Sequence, residues 1–144
     1  MRNIRPYIYY LLWLLMISFI FYQSLQIASV SDEKSLFFVY LLQNNLNINI
    51  DTDLLNHIIR KCAHFSEYTL LGILAIQAHK KYPINKYYPL FNYLIPIIDE
   101  CIQYFVPLRS CQISDMLLDS LGISFGFIVY LTIQKYFSSR KVKH

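Results

Sequence analysis

Glycine is scarce in this chain: three residues in 144, too few for a glycine-rich linker or for the phosphate loop of a Rossmann-type domain. Charge is scarce as well. Asp, Glu, Lys and Arg make up 15% of the residues, against roughly 25% in an ordinary soluble domain. Cysteine is limited to Cys62, Cys101 and Cys111, an odd number that matches no metal-ligand spacing and reads as free thiols. Disorder is excluded by an aromatic content of 17%, because such chains lack the side chains that build a core. The net charge is +4, but the basic residues are not gathered into a stripe, which argues against a nucleic-acid partner. What remains is a chain that is 56% hydrophobic and long enough for one domain, and these proportions point to a membrane protein.

A spanning helix needs about 20 apolar residues. Four stretches come close: residues 6–22, 62–78, 87–106 and 116–137. The first carries no charge and follows Arg2 and Arg5. A cleaved signal peptide has the same pattern of basic start and apolar run, but this run is long for that purpose and carries Trp13 and several tyrosines, which favours an uncleaved span. The second is interrupted only by His64, Glu67 and Gln77. The third is interrupted by Asn92, Asp99, Glu100 and Gln103, and the fourth by Asp119, a few hydroxyls, Gln134 and Lys135. Four such runs leave too little polar surface to cover a soluble globule. The expected fold is therefore an all-α membrane protein, a single domain over residues 1–144 with a bundle of four transmembrane helices. Leu36 to Leu42 is too short to span and reads as a short amphipathic helix in the first outer loop. Tyr7, Tyr9, Tyr10, Tyr22, Tyr104 and Tyr136 fall near span ends, where amphipathic rings favour the interface.

Nine of the thirteen bases share one side of that scheme: Arg2, Arg5, Lys80, Lys81, Lys86, Lys135, Arg140, Lys141 and Lys143. The positive-inside rule makes that side, with both termini, cytoplasmic. All nine acids lie in outer loops or the outer halves of spans. Acid placement does not set topology, so it calls for another explanation.

At about 1.5 Å of rise per residue, three spans carry polar groups to the same outer level. Lys61, His64 and Tyr68 share one helix face, with Glu67 at its edge. Asp99 and Gln103 are four apart, and Glu100 lies three before Gln103. Asp115, Asp119, Gly122 and Gly126 form one stripe, carboxylates above and glycines below. The glycines read as packing, against another helix or a second copy of the chain. Ionisable groups inside a bilayer face the bundle interior or a wet cavity and pair there, so Lys61, His64, Glu67, Asp99, Glu100, Gln103, Arg109, Asp115 and Asp119 are the candidate ligand-binding residues. A purely structural role is the alternative: helix packing, favoured for Gly72, Gly122 and Gly126, and hydrogen bonding between short helices, evenly matched for Gln103, Asp119 and Tyr68. His57, His79 and His144 read as solvated.

The same residues carry a resemblance. Arg60 to Gly72 resembles the K-x-x-H-F-x-E-Y-x-x-L-G motif of the VanZ-like family, Asp99 to Arg109 its D-E-x-x-Q-x-F-x-P-x-R motif, and Asp115 to Gly126 its D-x-x-x-N-x-x-G-x-x-x-G motif. Leu108 stands where the family commonly has Gly, and Asp119 where it has Asn. The resemblance implies a small multi-span protein of the bacterial cell membrane. The family's named member is associated with resistance to teicoplanin, a glycopeptide antibiotic acting on the outer-face wall precursor.

Three functions fit such a constellation. The first is binding of a lipid headgroup, a lipid-linked cell-wall precursor or the glycopeptide at the outer leaflet, with Lys61 and Arg109 engaging phosphate or carboxylate. The second is an enzyme on a lipid-linked envelope substrate, with His64, Glu67, Asp99 and Glu100 as catalytic candidates. A divalent metal on His64, Glu67 and Asp99 would be its cofactor. The third, ranked lowest, is a proton-coupled transporter, because the inner halves of the spans lack the polar groups a full path needs.

Overall fold

The computed structural model describes residues 5–46, 50–79 and 88–141. Among them it is all-helical, in the order α1 (Arg5–Ser24), α2 (Ala28–Leu46), α3 (Thr52–His79), α4 (Tyr88–Phe91), α5 (Leu94–Tyr104) and α6 (Ile113–Lys141). Arg2, Lys80, Lys81, Lys86 and Lys143, on which part of the expected orientation rests, lie outside the described residues, as does His144, expected to be solvated.

α1 and α6 coincide with the first and fourth expected spans, and both are long and apolar enough to cross a membrane. The other two runs differ from expectation. α3 begins ten residues before its apolar run, because Leu54, Leu55, Ile58 and Ile59 extend the helical spacing of apolar residues outward. It is about 42 Å long by its rise per residue, but its outer half carries Arg60, Lys61, His64 and Glu67. The third run is broken at Asn92 and Tyr93. Pro96 has no N–H to donate and its ring crowds the carbonyl of Asn92, four residues earlier. The chain there makes tighter turns instead, with Tyr93 N–H bonded to Leu90 O (3.1 Å) and Ile95 N–H to Asn92 O (3.2 Å). α5 alone is about 16 Å long, short of the roughly 30 Å hydrocarbon core. The four-span bundle thus reduces to two helices that meet the requirements for crossing. The short helix expected in the outer loop is α2, 19 residues rather than seven.

Side-chain contacts give the directions of the segments. Trp13 Nε1 donates to Asn92 Oδ1 (2.9 Å) and Ser24 Oγ donates to Asp99, so α1 and α5 run parallel. Tyr93 bonds Ser124 (2.8 Å) and the backbone N–H of Gln112 donates to Glu100 (2.8 Å), so α5 and α6 run antiparallel. α3 lies parallel to α6 and antiparallel to α1. The core between them is Ile20, Tyr68, Leu71, Ile95 and Ile123, flanked by Trp13, Met16, Ile17 and Phe127. His79 is buried rather than solvated, stacked against Tyr10 and Trp13 with ring centroids 4.8 and 5.3 Å away. Outward, α1 exposes Leu11, Leu15 and Phe19, and α6 exposes Leu117, Leu121, Phe125 and Ile128 in one stripe. A soluble monomer rarely carries so extensive an apolar surface, and lipid accounts for it.

All three glycines sit where α3 meets α6. A Cβ on Gly72 would lie 2.5 Å from the Ile123 carbonyl oxygen, one on Gly122 would lie 2.8 Å from that of Phe65, and one on Gly126 would meet that of Thr69. The seam that the sequence offers to a second copy is filled by α3 of the same chain. Gly72→Ala and Gly126→Ala are each expected to lower the unfolding free energy in detergent by about 1–3 kcal/mol, read from the thermal midpoint, with exposed Ser139→Ala near neutral. Leu108, after α5, holds φ at 63° and is 89% exposed. This left-handed conformation accounts for the glycine common at that position in the family the sequence resembles. Leu108→Gly should raise the same midpoint, by no more than about 1 kcal/mol in stability, because relief of the Cβ strain is partly offset by glycine's extra freedom when unfolded.

Candidate functional site

The close, parallel approach of α3 and α6 builds a ladder of paired positions. At the top Lys61 forms an ion pair with Asp115. One step below, His64 Nδ1 faces Asp119 Oδ1 at 3.9 Å, too far for a hydrogen bond. Below that, Gly122 meets Phe65 and Tyr68, and Gly126 meets Thr69. The i, i+3, i+7 face of Lys61, His64 and Tyr68 therefore does turn towards the Asp115–Gly126 stripe.

α5 completes the polar layer from the other side. Asp99, Glu100 and Gln103 are all buried. Asp99 accepts from Ser24 at the end of α1 and from Gln103 one turn along its own helix (3.2 Å), and the buried Tyr68 ring lies beside it. Glu100 Oε2 accepts the Gln112 N–H, which fastens the loop that follows α5. Its Oε1 has no hydrogen-bond partner among the described residues, and neither carboxylate oxygen of Asp119 has one. Asp119 is 0% and Glu100 1% exposed. An ionised carboxylate held this way has lost its hydration without replacement, which is costly.

Next to this layer, and continuous with it through His64, is a cavity of about 240 Å³. Its wall joins α1, α2, α3 and the loop after α5. Gln23 comes from α1; Ser31, Lys34, Ser35 and Phe38 come from α2; Ile59, Arg60, Ala63, His64 and Glu67 come from α3; and Arg109 comes from the loop. Three cations face one carboxylate and one imidazole. Arg60 is braced by Asp32 (2.6 Å), and Lys34 by Gln26 (2.6 Å). Arg109 is anchored to the end of α1 through Nη1, which reaches the Ser24 carbonyl (3.3 Å), while its Nε has no partner among the described residues. Burial, and then the neighbouring positive charge of Arg60, hold the Arg109 guanidinium below its usual pKa. A guanidinium titrates so high that it stays charged, and an incoming anion would relieve that unfavourable setting.

The nine residues expected in a single cavity thus fall into three groups. His64, Glu67 and Arg109 line the cavity. Asp99, Glu100, Gln103 and Asp119 form the buried layer. Lys61 and Asp115 pair with each other at the top of the α3–α6 seam. Among the described residues, the three side chains that bring ligand atoms within 4.8 Å of one another are His64, Asp99 and Asp119, so Asp119 takes the place expected of Glu67 in a metal set. Lys34 and Arg60 are the residues that sequence reasoning missed. Arg60 precedes His64 by four and shares its face, while Ser31, Lys34, Ser35 and Phe38 follow the i, i+3, i+4, i+7 spacing of one helix face. Both signals were present once α2 was read as a full helix. Cys62, Cys101 and Cys111 are free and exposed.

No curated protein and no solved structure matches the chain. A family model does, that of VanZ/LLP1, over residues 7–134. The matched stretch runs from the first turn of α1 nearly to the end of α6 and takes in the cavity and the buried layer, so the chain belongs to the VanZ/LLP1 family.

Proposed function

We propose that this is a bacterial membrane protein whose outer face binds the anionic headgroup of a lipid or of a lipid-linked cell-wall precursor. The observation that carries this reading is the cavity whose lining includes Lys34, Arg60 and Arg109 together with apolar Phe38, Ile59 and Ala63. Guanidinium groups suit phosphate, and apolar neighbours suit the first carbons of a chain. Size discriminates between ligands. About 240 Å³ accommodates a phosphate-bearing headgroup, whereas a glycopeptide, a cross-linked peptide carrying sugars, is far larger and would meet only the rim. On this reading, glycopeptide resistance would run through the lipid-linked precursor rather than through a buried antibiotic.

The reading includes the topology. If α3 forms the second crossing and α4 and α5 together the third, with both termini cytoplasmic, α3 and α6 enter from the outer side, which agrees with their parallel course. The cavity and the acidic layer then lie at the outer leaflet, and the basic residues of the termini and of the loop near residue 80 lie inside.

A second reading is chemistry on that same headgroup. It is favoured by one observation, that His64 lines the cavity and also faces Asp119 at 3.9 Å, within about 1 Å of the hydrogen-bonding distance at which a carboxylate orients a general base. Release of inorganic phosphate or of a headgroup from lipid-linked substrate, lost in His64→Gln, separates this from simple binding.

Native mass spectrometry of protein purified in mild detergent tests the binding reading, with phosphatidylglycerol and phosphatidylcholine as competing probes. The wild type is expected to retain phosphatidylglycerol preferentially. Arg109→Ala should weaken that retention about 10–100-fold, the loss of a charge-assisted contact of about 1.5–3 kcal/mol. Equal retention of both lipids, or retention unchanged in an Arg60→Ala, Arg109→Ala double variant, would sink the proposal.

A further inference from the structure

The buried layer holds more carboxyl groups than its neighbours satisfy. Asp99, Glu100 and Asp119 are each fully or almost fully buried. Lys61, the nearest lysine on α3, is engaged with Asp115, and Arg109 reaches towards the carbonyls at the end of α1. Asp99 has two hydrogen-bond donors, Ser24 and Gln103, on its carboxylate. Asp119 has none among the described residues, and His64 Nδ1, directly opposite, has none either. Two unsatisfied groups of complementary ligand type thus face each other across 3.9 Å, with a second carboxylate, that of Asp99, beside them. Hydrogen bonding between helices, the simplest role for buried polar residues, does not describe Asp119, because no hydrogen bond is made.

We propose that His64, Asp99 and Asp119 hold a divalent first-row metal ion, such as Zn²⁺ or Mn²⁺, at the junction of α3, α5 and α6. One imidazole and two carboxylates suit these ions. The spacing is close to what coordination needs. Ligand atoms bound at about 2.0–2.2 Å lie no more than about 4.4 Å apart, and the three sets of atoms here lie within 4.8 Å of one another. His64 and Asp119 are already inside that limit. The remaining gap closes by a few tenths of an ångström, and Asp119 breaks no hydrogen bond in moving. The ion would neutralise the buried carboxylates and tie three helices together. Because His64 also lines the cavity, the ion would sit next to it, behind His64. The inference does not depend on the headgroup reading: it rests on the buried carboxylates that His64 faces, and headgroup binding rests on the basic residues of the cavity.

The test is metal content and thermal stability of the full-length protein in detergent. After stripping with chelator, incubation with Zn²⁺ or Mn²⁺ and desalting, the wild type is expected to carry about one ion per chain, and the ion should raise the unfolding midpoint. Asp119→Asn and His64→Gln should each lower affinity by at least about tenfold and abolish the midpoint shift. Asp53→Asn, an exposed acid at the start of α3, should retain both. Metal content at background in the wild type, or affinity unchanged in both variants, overturns the proposal. If a variant fails to fold, the wild type decides: a midpoint indifferent to chelator and to both ions also overturns it. Retained phosphatidylglycerol in a metal-free wild type would leave the headgroup reading standing while this one fell.

Discussion

The backbone contact between α3 and α6 is the constraint on which the rest of the structure depends. Gly72, Gly122 and Gly126 have no Cβ to hold the helices apart, so carbonyl oxygens of one helix occupy the space that side chains would fill on the other. Lipid tails provide no hydrophobic drive for one apolar helix to join another, and close packing of this kind supplies the association instead. The parallel register then determines what meets what above the glycines. Lys61 reaches Asp115 and His64 faces Asp119, while Tyr68 is sealed beneath them. A substitution that spreads this seam is therefore felt at the polar layer several turns away.

Around that seam the chain separates its charges. Acids are concentrated between α3, α5 and α6, where water is excluded. Bases from α2, α3 and the loop after α5 converge on the adjoining cavity. His64 belongs to both regions. Mixing the two sets would have let them cancel as ordinary ion pairs, as Lys61 and Asp115 do. Keeping them apart leaves the cavity wall able to take an anion and the buried layer able to take a cation, which is the sense in which packing and function share one arrangement. The sharp turn at Leu108 serves both, since it returns the chain so that Arg109 joins the cavity while Gln112 caps Glu100.

Much of this was legible in the residues, and the reasons for the rest are physical. Apolar runs identified α1 and α6 closely, because length and hydropathy are sufficient criteria for a helix surrounded by lipid. The i, i+4, i+7, i+11 stripe of Asp115, Asp119, Gly122 and Gly126 correctly foretold one contact face. What it could not tell was the partner, since α3 and a second copy offer the same complementarity to a glycine. The break before α5 followed from Pro96, whose missing N–H leaves the Asn92 carbonyl to accept from Ile95 N–H in a tighter turn, while the Asn92 side chain is held by Trp13 from 79 residues away. α2 was underestimated because its apolar residues are diluted by Asp32, Glu33, Lys34 and Ser35, and those are the residues that bring Arg60 and Lys34 to the cavity. His79 has nothing around it in sequence to mark it as buried; only the stacking on Tyr10 and Trp13 does so.

In the proposed orientation the cavity and the acidic layer beside it face the outer side of the membrane. Cys111, exposed in the loop between α5 and α6, reports on this directly. In a Cys62→Ser, Cys101→Ser background it is the sole thiol, and its modification by a membrane-impermeant maleimide can be compared in intact and permeabilised bacteria. The account predicts that intact cells label as fully as permeabilised ones. Labelling that appears only after permeabilisation would put the site on the cytoplasmic side and contradict it.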